Sequence, residues 1–437
     1  MTDTSTANAA QGLETARDLN AFVREPFRLA GADQGPLAGT DVVVKANIAV
    51  KGRPFCGATP ALETVTAEES AGTVERLLAA GATIVAQTNL HELAFGITSA
   101  NAHHGAVRNP YASDRMAGGS SGGTAAAIGA GAVTMGLGSD TGGSGRLPAA
   151  MCGCVGLRPT IGRYPADGVL TLSTTLDTVS SMGKTAADVA RLDAVLAGEP
   201  DTLPAVVLNG LRLGIARDPF WSGISSAMDR ACGEKLAELE AAGAVPVEIV
   251  LPGLIELTGE NALPLVISES RTFWEPFVRD RLGMTLSDFA ETIASPDVRG
   301  IYQAIASDEA PGPEIAAGIR ETAIPEIRSR IRDAMDENRL DALVFPTLAE
   351  VAPPVDQTET LDLDGEVVPL FDAMTRRELP VSMAGIPSLS VPAGLNPEGL
   401  PYGLELVGRA GEDRKLIAIA AAIEERLGRL PGLGGAA

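Results

Sequence analysis

The sequence predicts an α/β protein with a large mixed β-sheet at its core, flanked by α-helices. The first observation is that short apolar, β-branched runs alternate with longer helical patterns along the chain, which is typical of a mainly parallel sheet. The second is that the 437 residues contain no internal repeat and no long linker. We therefore expect one domain over residues 1–437, with a catalytic core over about 40–200 and a more helical, variable segment over about 252–340.

The first elements form a β-α-β unit. Residues 41–50 contain a continuous apolar run that predicts a buried strand. Residues 70–80 have helical periodicity with Gly81 as a stop signal, and residues 83–87 form a second short strand. These two strands are expected to be parallel and joined by a right-handed crossover. A leading helix is predicted over residues 11–23.

A region rich in glycine, serine and alanine follows. Residues 124–132 predict a buried helix and residues 133–137 a strand, whereas residues 138–145 are too glycine-rich for either element. Further elements are predicted in the second half of the chain: strands over 211–216, 245–250, 342–345, 389–391 and 403–407, and helices over 226–241, 314–337 and 411–426.

Charge and composition limit the range of partners. The formal net charge of −22 repels phosphate backbones and anionic membrane surfaces, so neither nucleic acid nor a membrane is an expected partner. The N-terminus has no basic and apolar signal pattern, and residues 124–138 are too short and too rich in glycine to span a bilayer. A cytoplasmic location is therefore expected.

The cysteines and histidines show no metal-binding pattern. The four cysteines are expected to be free buried thiols, because only Cys152 and Cys154 are close in sequence and no second pair or histidine cluster completes a zinc motif. The sequence therefore implies no metal and no cofactor. His91, His103 and His104 are expected to be loop or packing residues.

Lys45 is a candidate general base. Only five of the 34 basic residues are lysines, yet this one follows three valines in a core-like strand. Burial disfavours the ammonium form and lowers the pKa of a lysine, which makes a neutral amine available as a base. The alternatives are an ammonium group that reaches solvent at the strand end, or a buried ion pair.

Two glycine-wrapped serine runs are candidates for the nucleophile. The run Gly118–Gly123 contains a Gly-x-Ser-x-Gly string, but the nucleophile elbow of an α/β-hydrolase needs a later histidine and none follows His104. In the second run, Thr141–Ser144 offers successive backbone N–H groups that can form an oxyanion hole beside the Ser144 hydroxyl. The alternative is a glycine-rich turn with an anion-binding or structural role.

Lys45, the run Gly118–Gly123 and the run Gly138–Pro148, in this order, resemble the amidase signature family. The 24-residue interval from Ser120 to Ser144 matches the family's spacing between its two catalytic serines. The resemblance continues through four other segments: Thr88–Glu92, Cys152–Thr160, Asp341–Thr347 and Pro387–Gly394.

The resemblance implies an amidase that uses a Ser-Ser-Lys triad. Ser144 would form the acyl-enzyme, and Ser120, joined to Gly119 by a cis peptide, would carry protons to and from a neutral Lys45. The backbone N–H groups of the oxyanion hole would be those of Thr141, Gly142, Gly143 and Ser144. The supporting residues implied are Ser121, Asp140 and Arg146, of which the last two brace the loop.

Two positions depart from the family pattern, and two segments indicate a branch. Ala46 stands where aspartate is common, which affects the bracing of Lys45. Gly145 stands where a β-branched residue is common, which is expected to loosen or widen the pocket floor.

The segments Ile161–Val169 and Ala294–Gly300 resemble the mandelamide and indoleacetamide hydrolases. The expected substrate is therefore a small, aryl or aralkyl carboxylic amide, cleaved to acid plus ammonia or amine.

Two alternatives stay open on the same chemistry. One is the glutaminase subunit of a tRNA-dependent amidotransferase, although Ile161–Tyr164 replaces the Tyr-Gly-x-x-Ser stretch usual in that subunit. The other is a hydrolase of a related hydrazide or carbamate. Apart from a small-molecule amide, the expected partner is a second copy of the chain in a homodimer.

Overall fold

A computed structural model describes residues 11–430, and most of its strands lie in one sheet. The order of the eleven strands is β1-β3-β2-β6-β8-β7-β14-β15-β11-β9-β10. The strands of this sheet are β1 Leu29–Ala30, β2 Asp41–Lys45, β3 Thr83–Thr88, β6 Met135–Asp140, β7 Val155–Arg158, β8 Thr178–Gly183, β9 Arg212–Ala216, β10 Val245–Ile249, β11 Ala342–Pro346, β14 Ser388–Leu395 and β15 Pro401–Val407. Two small hairpins pair β4 Ala100–Asn101 with β5 Gly105–Ala106, and β12 Thr360–Leu363 with β13 Glu366–Pro369.

Helices cover the sheet. They are α1 over residues 11–18, α2 Gly72–Ala79, α3 Gly122–Gly129, α4 Arg146–Met151, α5 Ala186–Ala197, α6 Arg217–Phe220, α7 Ser226–Ala241, α8 Leu254–Leu282, α9 Leu286–Thr292, α10 Pro296–Ala306, α11 Pro313–Glu321, α12 Ala323–Glu337, α13 Leu370–Thr375, α14 Glu378–Ala384 and α15 Asp413–Leu427. The α/β class and the mixed sheet with flanking helices are confirmed. Within residues 11–430, we find no helix that combines the length and the apolar character needed to cross a membrane.

The expectation of a mainly parallel sheet is wrong. The parallel pairs are β2–β3, β2–β6, β9–β10 and β9–β11, whereas the other neighbouring pairs are antiparallel. Strands β7 and β8 are absent from the predicted elements. These two strands lie between β6 and β14, and they convert the parallel β3-β2-β6 unit into a mixed sheet.

Several predicted boundaries also need correction. The leading helix ends at residue 18 rather than 23, because Asn20 adopts a left-handed backbone with φ 60° and donates from its side chain to the carbonyl of His104. The strand predicted over 41–50 ends at Lys45, where the chain turns. The helix predicted over 314–337 is two helices, because Thr322 has a non-helical backbone.

The most important correction concerns residues 138–145, which were expected to lie outside helix and strand. Residues 138–140 instead continue β6 to Asp140. Gly138 fits there because a Cβ at this position would lie only 2.8 Å from Ser121 Oγ. Strand β6 therefore runs directly beside β2, with Val44 opposite Leu137, and its last residues lie close to Lys45.

Candidate active site

The amine of Lys45 lies fully buried at the end of β2. Its Nζ is 2.7 Å from Ser120 Oγ and 2.8 Å from Ser139 Oγ. Burial lowers the pKa of Lys45 to about 7, although the charges of Asp140 and Asp177 act in the opposite direction. A large share of the amine is therefore neutral at neutral pH and able to accept a proton.

Ser139 is a site residue that the sequence patterns do not indicate. Its hydroxyl contacts Lys45 and also accepts a hydrogen bond of 3.1 Å from Asn47 Nδ2. The glycine-rich composition of residues 138–145 predicts neither helix nor strand, so it does not indicate that Ser139 lies on a strand beside Lys45. The available signal is the parallel pairing of β2 with β6, because residues just beyond the Val44–Leu137 pair must lie beside Lys45.

The first serine run places Ser120 against Lys45. The Gly119–Ser120 peptide is cis, and a Cβ at Gly119 would lie 2.8 Å from the carbonyl carbon of Ile97. The adjacent Ser121 hydroxyl donates to the Ser139 carbonyl (3.1 Å) and accepts from the Ser139 N–H (3.3 Å). Ser121 therefore fastens the start of α3 to the end of β6.

Ser144 lies on the turn that follows β6, at the bottom of a cleft. Ser144 is 7% exposed, and its carbonyl accepts a hydrogen bond of 3.2 Å from the Ser121 N–H. The residues of the turn that line the cleft beside it are Thr141 and Gly142. The two serine runs are thus in contact through this backbone bond, whereas the described residues show no hydrogen bond between the Ser144 and Ser120 hydroxyl groups.

The four backbone N–H groups predicted to form the oxyanion hole do not have the same environment. The Gly143 N–H donates to Asp140 Oδ1 at 3.0 Å, so this donor is already engaged. Among the described residues, the N–H groups of Thr141, Gly142 and Ser144 have no hydrogen-bond acceptor. These three donors, on the turn that carries the Ser144 hydroxyl, are open to an anionic oxygen.

A buried charge cluster supports the turn. Both carboxylate oxygens of Asp140 accept bonds from Arg146, at 3.0 Å each, and one also accepts from Arg158 at 3.1 Å. Arg146 also donates to Glu405 Oε1 at 2.6 Å and contacts Glu378. These five side chains are fully buried. Asp140 and Arg146 therefore brace the loop between β6 and α4.

Two acids of the cluster have pKa values that shift in opposite directions. Burial alone would raise the pKa of Asp140, but the guanidinium groups of Arg146 and Arg158 lower that pKa well below its usual range. Burial raises the pKa of Glu378 well above its usual range, and the neighbouring Glu405 adds to this effect against the opposing charge of Arg146. Protonation of Glu378 would leave Arg146 and Arg158 facing the carboxylates of Asp140 and Glu405, while the buried Arg377 also interacts with Glu378 and Glu405.

The cleft above Ser144 is apolar. It has a volume of about 560 Å³ including its open mouth, and no charged side chain lines it. Its walls come from residues 94–97, from Leu172, from α8 and from residues 371–379. The large apolar side chains among them are Phe95, Ile97, Leu172, Leu263, Val266, Phe371 and Leu379. Such a cleft suits an apolar group bound next to the serine hydroxyl.

The histidines lie apart from the serines' hydroxyl groups. His91 bonds Asp297 at 2.9 Å, and its other ring nitrogen lies 3.2 Å from Thr98 Oγ1. His103 and His104 both approach Glu63. Within the described chain, no histidine side chain is hydrogen-bonded to Ser120 or Ser144, so the base nearest to these serines is Lys45.

The two departures from the family pattern have structural counterparts. Ala46 leaves the bracing of Lys45 to Ser120 and Ser139, and its own N–H bonds the Thr88 carbonyl at 3.1 Å. The expected loosening at Gly145 is not found. A Cβ at Gly145 would lie 2.0 Å from Ser180 Oγ, so the Ser180 side chain fills the space next to it.

Comparisons with known proteins agree with this geometry. An indoleacetamide hydrolase from Rhizobium radiobacter is 39% identical over 95% of this chain and 91% of its own length. A mandelamide hydrolase from Pseudomonas putida is 34% identical over 98% of this chain and 86% of its own. A glutamyl-tRNA(Gln) amidotransferase subunit from Haloarcula marismortui is 34% identical over 93% of this chain and 99% of its own.

A solved structure described as an amidase has the same fold. It superposes with a TM-score of 0.83 at 31% sequence identity, over 97% of this chain and 96% of its own. The family model described as Amidase matches residues 8–417, which is nearly the whole sequence. The chain therefore belongs to the amidase family, and its similarity to named amide hydrolases shows that it is an amidase.

Proposed function

We propose that the chain hydrolyses the C–N bond of a small aryl or aralkyl carboxylic amide, through an acyl-enzyme on Ser144. The observation that carries this proposal is the buried Lys45–Ser120 hydrogen bond of 2.7 Å directly behind the turn that holds Ser144. A base with a pKa of about 7, a hydroxyl next to it and a second serine at the bottom of an apolar cleft are the parts of a serine acyl-transfer site.

The proposed reaction has two halves. In the first, Ser144 Oγ attacks the carbonyl carbon while its proton passes to Ser120 Oγ and the proton of Ser120 passes to the neutral Lys45. Backbone N–H groups of the Thr141–Ser144 turn stabilise the oxyanion, with Thr141, Gly142 and Ser144 as the open donors. Lys45 then returns a proton through Ser120 to the leaving nitrogen, and ammonia or an amine departs. In the second half, water attacks the acyl-enzyme by the same proton route and releases the acid.

The lining of the cleft supports an apolar acyl group. Aromatic and aliphatic side chains surround Ser144, and Leu263 and Phe371, which are 54% and 47% exposed, stand at its mouth. Burial of an aryl ring against such a surface contributes about 25 cal/mol per Å² of apolar area. The similarity to the indoleacetamide and mandelamide hydrolases supports the same substrate class.

The glutaminase subunit of an amidotransferase is the second candidate. The relative from Haloarcula marismortui favours it. Glutamine, however, carries an ammonium group and a carboxylate. No charged side chain lines the cleft, so neither group of glutamine would find an oppositely charged partner there. We therefore favour a stand-alone amidase, proposed as a single-domain enzyme of the cytoplasm that acts on a small molecule as a homodimer. Hydrazides and carbamates stay open as related substrates because they undergo the same acyl transfer.

A substrate panel tests the proposal. The purified chain is incubated with aryl-acetamides, aliphatic amides, a hydrazide, a carbamate and glutamine, and the release of ammonia, hydrazine or amine is measured. We expect the highest kcat/KM with an aryl-acetamide and no turnover of glutamine. Turnover of glutamine alone would overturn the aryl assignment and favour the amidotransferase role.

Labelling by a fluorophosphonate tests the nucleophile. We expect the wild-type chain to be labelled on Ser144, and Ser144→Ala to lose both labelling and turnover while keeping its circular dichroism spectrum. Ser390→Ala is the matched control, because it removes another buried hydroxyl. The Ser390 hydroxyl oxygen lies 2.8 Å from that of Thr347, and neither residue lines the cleft. Near-normal turnover by Ser144→Ala would contradict the assignment.

A further inference from the structure

Three metal-ligand side chains from separate parts of the chain converge away from the cleft. Cys56 Sγ, a carboxylate oxygen of Glu63 and a ring nitrogen of His104 all lie within 4.8 Å of one another. None of the three lines the cleft above Ser144. His104 Nε2 is 2.7 Å from Glu63 Oε1, and His103 Nε2 is 3.4 Å from the same oxygen.

The Cys56 thiol is the least expected member of this group. It is fully buried and not part of a disulfide, and unlike Cys232, whose sulfur contacts Met228, it packs towards two polar side chains. Glu63 and His104 are only partly buried, so solvent reaches the group from their side. A buried free sulfur that faces an imidazole and a carboxylate is a feature that a bound cation would explain.

Glu63 divides its two oxygens between different neighbours. Oε1 faces the two histidines, while Oε2 pairs with Arg24. A cation on Oε1 can therefore bind without displacing the guanidinium from Oε2. A divalent ion together with the Cys56 thiolate, the Glu63 carboxylate and a neutral imidazole would form a group with no net charge, which suits a partly buried position.

The backbone around these residues is already fixed in place. The Asn101 side chain accepts from the N–H groups of His103 and His104, at 2.8 Å each, and donates to the Ala58 carbonyl at 2.9 Å. Asn101 thus holds the segment that carries His104 against the segment that carries Cys56. The donors therefore come together through the fold and not through a flexible surface loop.

We propose that Cys56, Glu63 and His104 form a binding site for a divalent transition-metal ion with the preferences of Zn²⁺. Sulfur, nitrogen and carboxylate ligands are the set that Zn²⁺ takes in proteins, and a water molecule completes four-coordination. Binding releases the thiol proton of Cys56 to solvent and requires His104 to hold its proton on Nδ1. Ligand atoms of Zn²⁺ lie about 2.0–2.3 Å from the metal, so Glu63 Oε1 and His104 Nε2, which are 2.7 Å apart, must separate to admit the ion, and small side-chain movements provide this.

The ligands of this site are not close in sequence, so no local motif reveals it. Cys56, Glu63 and His104 follow none of the Cys-x-x-Cys or His-x-x-x-His spacings by which zinc motifs are recognised. The expectation that no metal is implied rests on those local spacings alone. Only the fold, which places residues 101–104 against residues 56–63, brings the donors together.

Cobalt(II) titration of the purified, metal-free chain tests the proposal. Co²⁺ replaces Zn²⁺ in such sites, and a thiolate ligand gives a charge-transfer band in the near ultraviolet. We expect this band to saturate at one ion per chain, to disappear on addition of Zn²⁺, and to be absent in Cys56→Ser. His104→Gln should weaken Co²⁺ binding by about tenfold or more. Zn²⁺ should raise the melting temperature of the wild type and not of Cys56→Ser.

Cys232→Ser is the matched control, because Cys232 is also a buried free thiol but contacts Met228 instead of a histidine. It should keep the band. The proposal is overturned if the wild type gives no thiolate band, if the band survives in Cys56→Ser, or if Cys232→Ser removes it. Hydrolysis of an aryl-acetamide by the metal-free variants, which does not use these residues, shows that they are folded.

Discussion

Ser139 Oγ lies 2.8 Å from Lys45 Nζ, almost as close as Ser120 Oγ at 2.7 Å. The amine is therefore held between two hydroxyl groups, one from the glycine-serine run and one from the neighbouring strand β6. The Ser139 hydroxyl is in turn fixed by Asn47. The position of the proposed base depends on a residue outside the Ser-Ser-Lys set.

We expect Ser139→Ala to lower kcat/KM by about 100-fold, because loss of one contact lets the Lys45 amine move away from Ser120. The measurement is steady-state hydrolysis of an aryl-acetamide over a range of pH, since a change at the base should also shift the pH profile. Ser181→Ala removes a buried hydroxyl that bonds Tyr164 instead, and it should leave both readouts unchanged. An unaltered profile in Ser139→Ala would argue against a positioning role.

Activity should rise with pH through about 7. Burial lowers the pKa of Lys45 from its ordinary value to about 7, so the amine is neutral, and able to accept a proton, only above that pH. Below it, kcat/KM should fall about tenfold per pH unit, as for a single ionisation. Lys45→Arg, which stays protonated, should be inactive throughout. An inflection near 10, the ordinary pKa of a lysine, would show that burial does not lower the pKa of Lys45, and a profile with no inflection would show that the amine is not the base.

Gly145→Ala should destabilise the fold. The added Cβ would lie 2.0 Å from Ser180 Oγ and 2.6 Å from Ser180 Cβ, so the β8 strand must shift. We expect a loss of about 1–3 kcal/mol in the free energy of unfolding, measured by urea denaturation. Adding Ser180→Gly to this variant should recover part of the loss.

Gly233→Ala is the control for that substitution. Gly233 lies inside α7, and a Cβ there has nothing within 4 Å. Since glycine is a poor helix former, this change should raise stability by about 0.5–1 kcal/mol. If Gly145→Ala were as well tolerated as Gly233→Ala, the close contact with Ser180 would be refuted.

The buried charge cluster predicts opposite behaviour for two acids. Asp140→Asn removes a carboxylate from two guanidinium groups, and we expect a loss of about 3–5 kcal/mol. Burial raises the pKa of Glu378 and so favours its neutral form, which glutamine resembles; the loss in Glu378→Gln near neutral pH should therefore be below about 1 kcal/mol. Chemical denaturation of both variants checks this difference.

The pH dependence of Glu378→Gln gives a second test. Burial raises the pKa of Glu378 in the folded chain, so between its unfolded pKa and this higher value the folded state binds more protons than the unfolded state. The wild type therefore loses stability as pH rises above about 4.3, the pKa of a glutamate in the unfolded chain. The glutamine variant has no ionisable group at position 378, so its stability does not fall for this reason. The stability of the variant relative to the wild type should thus increase from about pH 5 to pH 8. A constant difference would mean that Glu378 is ionised in the folded chain.

Local patterns in the sequence predicted a large part of the fold and of the candidate site. The apolar run before Lys45 predicted its burial, and the first serine run indicated Ser120, whose hydroxyl lies 2.7 Å from the amine. Ser139 could not be found in this way, because the glycine-rich composition of residues 138–145 does not predict that β6 continues to Asp140. Its contact with Lys45 depends on strand pairing, which joins residues 94 positions apart. The role of Ser180 beside Gly145 is another contact across strands that no local pattern contains.

The cleft takes its floor and its walls from different parts of the chain. The floor follows β6 and lies against β2, so the spacing between the proposed reacting groups is set by the hydrogen bonds of the sheet. The walls include Leu263 and Val266 on α8 and Phe371 on α13. An engineer who wants a different substrate range can therefore randomise these wall positions and screen for new acyl groups. The proposed proton route from Ser144 to Lys45 would not need to be redesigned.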